Sequence, residues 1–156
     1  MAGTWTVFTS AKKRLGLAEF NFSTVGAYLT TLHLSGSTLL SEGTDVSTLA
    51  SVSALQAQLA SAFNYVRGGQ TLSSNEWSAS GNVMKFSSAG LCWSANGGGF
   101  AALKTAVIHL STAAKSGTPL AFMTLSGDGT KISVADGSAL KINGGQASGA
   151  KLFTLT

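Results

Sequence analysis

Residues 104–156 read KTAVIHLSTAAKSGTPLAFMTLSGDGTKISVADGSALKINGGQASGAKLFTLT, and their pattern decides the fold class. Four short apolar runs (AVIHL, LAFMTL, KISV, ALKI) and a closing KLFTLT are separated by polar connectors that carry glycine. In an extended chain alternate side chains take opposite faces, so Ala106, Ile108 and Leu110 share one face, with Thr105, Val107, His109 and Ser111 on the other. The same period sets Leu120, Phe122 and Thr124 against Ala121, Met123 and Leu125. It returns in the pairs Ile132 with Val134, Leu140 with Ile142, and Leu152 with Thr154. SGDG at 126–129 and Asp136-Gly137 read as turns, because glycine admits the positive φ that tight hairpins need. The stretch predicts a run of antiparallel strands.

Upstream, NVMKFSSAGLCWS at 82–94 alternates enough for one or two strands, and NGGG at 96–99 is a flexible link. TVGAYLTTLHL at 24–34 carries apolar groups on both faces, which suits a strand covered on both sides. Residues 47–63 break the pattern: Leu49, Val52, Leu55, Leu59 and Phe63 recur at spacings of three and four, which predicts a helix capped by Asp45 or Ser47. A shorter helix of one or two turns is expected over 9–17, with Thr9 or Ser10 as its cap and Gly16 as its stop. Before it, MAGTWTVF is either a strand of the chain's own sheet or a strap onto a neighbour. The expected organisation is an N-terminal arm with a short helix over 1–23 and a single β-domain over 24–156. The expected class is mainly β, an antiparallel β-sandwich or jelly-roll-like barrel with one or two short helices.

Composition narrows the function. A chain of 156 residues buries about 68–70% of its unfolded surface, so a core forms without staples. Charged residues make up 10%, against about 25% in typical soluble domains. Weak self-repulsion of that kind suits a surface covered by neighbours in an assembly. The net charge is +4, and Lys12-Lys13-Arg14 is the one basic cluster. A nucleic-acid binder would show a basic stripe interleaved with aromatics, so docking on an acidic protein surface fits better. Cys92 is the single cysteine, which excludes an intrachain disulfide and points to a reducing compartment. Its place between Leu91 and Trp93 predicts a small buried hydrophobe. No run approaches eighteen apolar residues, and no secretory signal pattern is present, so a soluble product with no membrane partner is expected.

Groups fit for chemistry are sparse. His33 and His109 both lie inside apolar strands, and the six acids form no close pair along the chain. Asp128 and Asp136 stand beside turn glycines, where aspartate bonds its own backbone. Gly68-Gly69 lacks the lysine of a phosphate loop and reads as a bulge or hairpin. No catalytic, metal or cofactor site is expected, and the chain is read as no enzyme.

Several stretches, taken in register, carry a family resemblance. Phe8-Thr9-Ser10-Ala11-Lys12 followed by TVGAYLTTLHL looks like an opening helix and first long strand. Tyr65-Val66-Arg67-Gly68-Gly69-Gln70-Thr71-Leu72 looks like an aromatic-x-x-Gly-Gly segment. Residues 106–109, 118–122 and 132–137, and the terminal Leu152-Phe153-Thr154-Leu155-Thr156, look like closing strands. In these the chain resembles small virion structural proteins of tailed bacteriophages, the capsid decoration or cement proteins. The resemblance implies a β-sandwich or jelly-roll-like fold, no enzyme activity, synthesis in the host cytoplasm and a place on the virion. The partner it implies is the major capsid protein, engaged by a homotrimer.

On that reading Trp5 and Phe8 are candidates for a strap, and Lys12, Lys13 and Arg14 for contacts with capsid acids. Tyr65 and Arg67 are further interface candidates, since Tyr and Arg are enriched in hot spots. Deletion of residues 1–8 is then expected to weaken capsid binding more than folding. The alternative is a carbohydrate- or host-binding head-fibre or tail module with Trp77 and Trp93 as platforms. A structural subunit of the tail or head–tail junction is the third reading.

Overall fold

The computed structural model describes residues 5–22, 24, 27–35, 57–74, 76–81, 83–111, 117–142 and, as backbone, 150–155. The chain is mainly β, sandwich-like and antiparallel in every strand pair described, in keeping with the class expected from the sequence. In chain order come β1 (Thr6–Val7), α1 (Thr9–Gly16), β2 (Tyr28–Leu34), β3 (Gln70–Thr71), β4 (Glu76–Ser80) and β5 (Val83–Ser88). After them come β6 (Leu91–Ser94), β7 (Phe100–Leu110), β8 (Pro119–Thr124), β9 (Ile132–Val134), β10 (Ala139–Ile142) and β11 (Ala150–Leu155). The principal sheet runs β1-β8-β7-β2-β3, and β9 takes the place of β8 along the first residues of β7. A three-stranded sheet runs β11-β5-β4, and β10 pairs β6 alone.

The apolar runs of the sequence become these strands for a simple reason. β2 and the later half of β7 are covered on both faces, so nearly every residue of each is buried. That is what their two-sided apolar pattern requires. β6 shows the opposite pattern, with Leu91 and Trp93 inward and Cys92 and Ser94 outward. The expected burial of Cys92 is therefore corrected: its thiol is exposed, because a period of two gives the core face to its larger neighbours.

The core joins the sheets through aromatic rings. Phe22 stacks on Trp77 of β4 at 4.5 Å between centroids and on Tyr28 of β2 at 5.8 Å. Phe86 of β5 meets Phe22 at 4.9 Å and Tyr28 edge-on at 5.4 Å. Residues from the N-terminal segment are part of the same core: Trp5, Phe8, Phe20 and Phe22 are all buried in it. β1 pairs the edge of β8, with Thr6 opposite Phe122 and Val7 opposite Ala121. Of the stretch that the sequence left open between strand and strap, the described residues 5–8 belong to the chain's own fold, with Thr6–Val7 as a strand of its own sheet.

α1 covers part of β8 and buries Ser10 and Ala11. Its N-cap is Phe8, which makes no side-chain cap bond, so neither Thr9 nor Ser10 serves as expected. The expected helix over 47–63 lies partly outside the described residues. Where it is described, from 57 onward, it is not helical. Leu34 N–H donates to the Ala57 carbonyl at 2.8 Å and Leu59 N–H to that of Leu32 at 2.9 Å. The open edge of β2 offers these residues a backbone partner, and that ladder prevails over a three-four apolar spacing weakened by its serines.

Candidate interaction surface

Seven residues were singled out from the sequence, and the structure divides them. Trp5, Phe8 and Tyr65 are buried, so they are not a strap or a hot spot but part of the chain's own interior. Phe8 lies against Phe122 with centroids 4.9 Å apart, and its N–H donates to the Leu120 carbonyl at 3.1 Å. Loss of residues 1–8 removes a core phenylalanine and an edge strand, and therefore damages folding first. Arg14 is half-buried and paired with Glu19 at 3.2 Å, so its charge is already answered within the chain. Lys12, Lys13 and Arg67 remain exposed.

Two surface patches form around these three cations. The first is at α1, where the helix ends in Leu17, an apolar side chain 64% exposed, with Lys12 and Lys13 exposed on the same short helix. The helix closes through Leu17 N–H to Arg14 and Ala18 N–H to Leu15, at 3.1 and 3.0 Å. Ala18 takes a φ of 54° there, two residues beyond the expected stop at Gly16, and Leu17 between them is exposed.

The second patch is a two-residue hairpin. Ala62 and Tyr65 exchange both backbone bonds, at 3.1 and 2.8 Å, and the tip residues Phe63 and Asn64 have φ of 52° and 71°. That is the mirror-image turn that matches strand twist, normally built from asparagine and glycine. Phenylalanine there is strained by about 1–2 kcal/mol. Phe63 is nonetheless 42% exposed, and its ring lies on Gly98. Beyond the tip Tyr65 points inward and Val66 outward, 69% exposed, next to Arg67. Leu17, Phe63 and Val66 escape sequence reasoning because each sits in a turn or flanks one, where periodicity gives no phase.

The remaining candidates have structural partners. His33 is fully buried, with Nε2 3.0 Å from the Thr31 hydroxyl. His109 is buried and donates its Nδ1 proton to the Leu110 carbonyl at 3.1 Å, and desolvation holds its pKa below the usual histidine value. Asp128 accepts from the hydroxyls of Ser126 and Thr130 and from the Thr130 N–H, which hold its carboxyl well below the usual range. Among the described residues no three His, Cys, Asp or Glu side chains gather as metal ligands. Trp93 is buried, and one face of the half-buried Trp77 is stacked on Phe22. No protein-family model, curated protein or solved structure matches the chain.

Proposed function

We propose that the chain is a virion structural protein, a capsid decoration or cement protein that binds and stabilises the major capsid protein lattice of a tailed bacteriophage. One observation carries this reading. The two patches lie toward opposite edges of the principal sheet, α1 beside β8 and the hairpin beside the β2–β3 edge. Three strand spacings separate β8 from β3, roughly 15 Å. Each patch offers exposed apolar side chains beside lysine or arginine with no carboxylate partner among the described residues. A small domain of low charge with adhesive borders on two sides is suited to bridging neighbouring subunits of an acidic lattice.

The energetics favour such a role in a repeated shell. Each exposed side chain buried on docking is worth about 1.5–3 kcal/mol, which is weak for one copy. A trimer that engages several subunits gains through effective concentration. Because the ligand recognises the assembled lattice, its binding stabilises the shell by mass action.

The test is to add purified protein to heads prepared without it and follow occupancy by electron microscopy and disruption by calorimetry. Regular density on the head surface and a raised disruption temperature are expected. Absence of the chain from purified particles, or heads that bind none of it, would overturn the reading.

A further inference from the structure

Asn96-Gly97-Gly98-Gly99 leads from β6 into β7, and its three glycines have different surroundings. A Cβ on Gly98 would run into the Phe63 ring, and one on Gly99 into the Val134 carbonyl oxygen. A Cβ on Gly97 would meet nothing within 4 Å. Asn96 and Gly97 are both exposed. The chain is fixed just before the pair. Ala95 N–H donates to the Ser138 carbonyl at 2.8 Å, the Ala95 carbonyl accepts from Gly137 at 3.0 Å, and Asn96 N–H donates to the Phe63 carbonyl at 3.3 Å. Beyond these bonds the restraint ends: among the described residues neither the Asn96 carboxamide nor the Gly97 N–H makes a hydrogen bond.

An asparagine in that setting reacts with its own backbone. The Gly97 nitrogen, on giving its proton to solvent base, attacks Cγ of Asn96. The carboxamide C–N bond breaks, and ammonia leaves with a proton taken from water. The product is a succinimide ring. Water then opens one of its two carbonyls: cleavage at Cγ leaves aspartate, and cleavage at the main-chain carbonyl leaves isoaspartate, whose backbone runs through the former side chain. No oxidant or cofactor takes part. The step needs a nitrogen that is open to solvent and a peptide plane free to turn toward Cγ, and a glycine without Cβ supplies both. Related positions in the fold lack that freedom. Gly137 N–H, after Asp136, donates to the Ala95 carbonyl at 3.0 Å, and Gly129 N–H, after Asp128, to that of Ser126 at 3.2 Å. Tyr65 N–H, after Asn64, donates to the Ala62 carbonyl at 2.8 Å. In each of these the attacking nitrogen is already engaged.

We propose that Asn96 is a site of spontaneous deamidation in the folded protein, and that the carboxylate it yields stands at the foot of the Phe63–Asn64 hairpin. The bond from Asn96 N–H to the Phe63 carbonyl joins the two segments, and the Phe63 ring rests on Gly98 two residues further on. Conversion lowers the net charge of +4 by one, on the side of the molecule that carries Val66 and Arg67. The isoaspartate form also adds a backbone atom between the Ala95 bonds and the Gly98 seat of the ring. The surface of the hairpin therefore changes with the age of the protein. The inference goes beyond the capsid reading, because it concerns the isolated chain and holds whatever the hairpin docks on.

The test incubates the purified full chain at about pH 8 and 37 °C beside the acetylated and amidated peptide WSANGGGF, with both followed by mass spectrometry. In the protein the tryptic peptide over 86–104 reports on the site, since it contains no other asparagine. It should gain one mass unit at a rate within tenfold of the free peptide's, and part of the product should be labelled by an isoaspartate-specific methyltransferase. Asn96→Gln, an exposed change that keeps the backbone bond to Phe63, should leave the mass of 86–104 constant. The deamidated fraction, separated by ion exchange, should show NMR shifts centred on the amides of Phe63, Asn64 and Gly98. A rate in the folded chain more than tenfold below that of the free peptide, or no isoaspartate in 86–104, would overturn the site. Hairpin amides unmoved in the deamidated fraction would overturn its effect on that surface.

Discussion

The hydroxyl of Tyr65 accepts the backbone N–H of Leu32 at 3.1 Å inside the protein. Residues 57–59 cover one end of the β2 edge and β3 covers the other, and the Tyr65 side chain closes the space between them. The Gln58 amide donates to the same oxygen at 3.4 Å. Tyr65→Phe keeps the ring and leaves a buried N–H without an acceptor, at a cost of about 1–3 kcal/mol. Urea denaturation measures this directly. A change under 0.5 kcal/mol would show that the edge is satisfied in another way.

Gly69 and Gly68 are neighbours with opposite reasons for being glycine. A Cβ on Gly69 would run into the Thr30 carbonyl oxygen, and the residue has a φ of +88°. Gly68 has a φ of +109° but open space around it. Gly69→Ala is therefore expected to cost more than 3 kcal/mol, since a backbone collision adds to the conformational strain. Gly68→Ala should cost about 1–2 kcal/mol from conformation alone. Equal losses for the two variants in a thermal melt would refute the close approach of Gly69 to β2.

The sheet was legible wherever both faces of a strand are buried or where turns are glycine-bearing, as in β2, β7 and β8. The helix over 9–17 was legible too, although its cap was not. What failed was phase and partnership. The run LCW reads as apolar throughout, but pairing with β10 directs Cys92 outward. Leu59 belongs to an apolar spacing of three and four, but its backbone bonds to Leu32, 27 positions earlier, and no local pattern carries that information. The surface was read least well. An aromatic residue near a terminus or in a loop resembles an adhesive contact until its partner is known, and Trp5, Phe8 and Tyr65 all have partners within the fold. Phe63 and Val66 are exposed because of a hairpin phase set by two left-handed residues.

His109 links stability to pH. Its neighbours across the sheet are Leu29 and Pro119, neither charged, and desolvation lowers its pKa. The unfolded chain then takes up a proton at higher pH than the folded one. Stability from this group is complete above about pH 6.5 and is lost as pH falls from there toward the folded pKa. The steepest slope one proton supports is about 1.4 kcal/mol per pH unit. Comparing denaturation of wild type and His109→Gln from pH 7.5 to 4.5 isolates the effect. The difference between the two should be constant above pH 6.5 and should shrink below it as the wild type weakens. A gap that is flat across the whole range would mean that His109 charges as easily folded as unfolded.

The hairpin tip separates binding from folding. Phe63 holds a left-handed conformation that asparagine tolerates and phenylalanine does not, yet its ring is partly open to water. Its ring reaches Gly98, and the exposed remainder stands on the same hairpin segment as Val66 and Arg67. Phe63→Asn combined with Asn64→Gly installs the preferred turn, and the strain relieved offsets the lost contact with Gly98. Folding stability should stay within about 1 kcal/mol of wild type. Loss of the ring from a docked interface should weaken binding to heads at least tenfold, as about 1.4 kcal/mol or more requires. Leu17→Asp, at the far edge of the sheet, should act in the same way without altering the hairpin. If both variants occupied heads as well as wild type, the two patches would not be the binding borders.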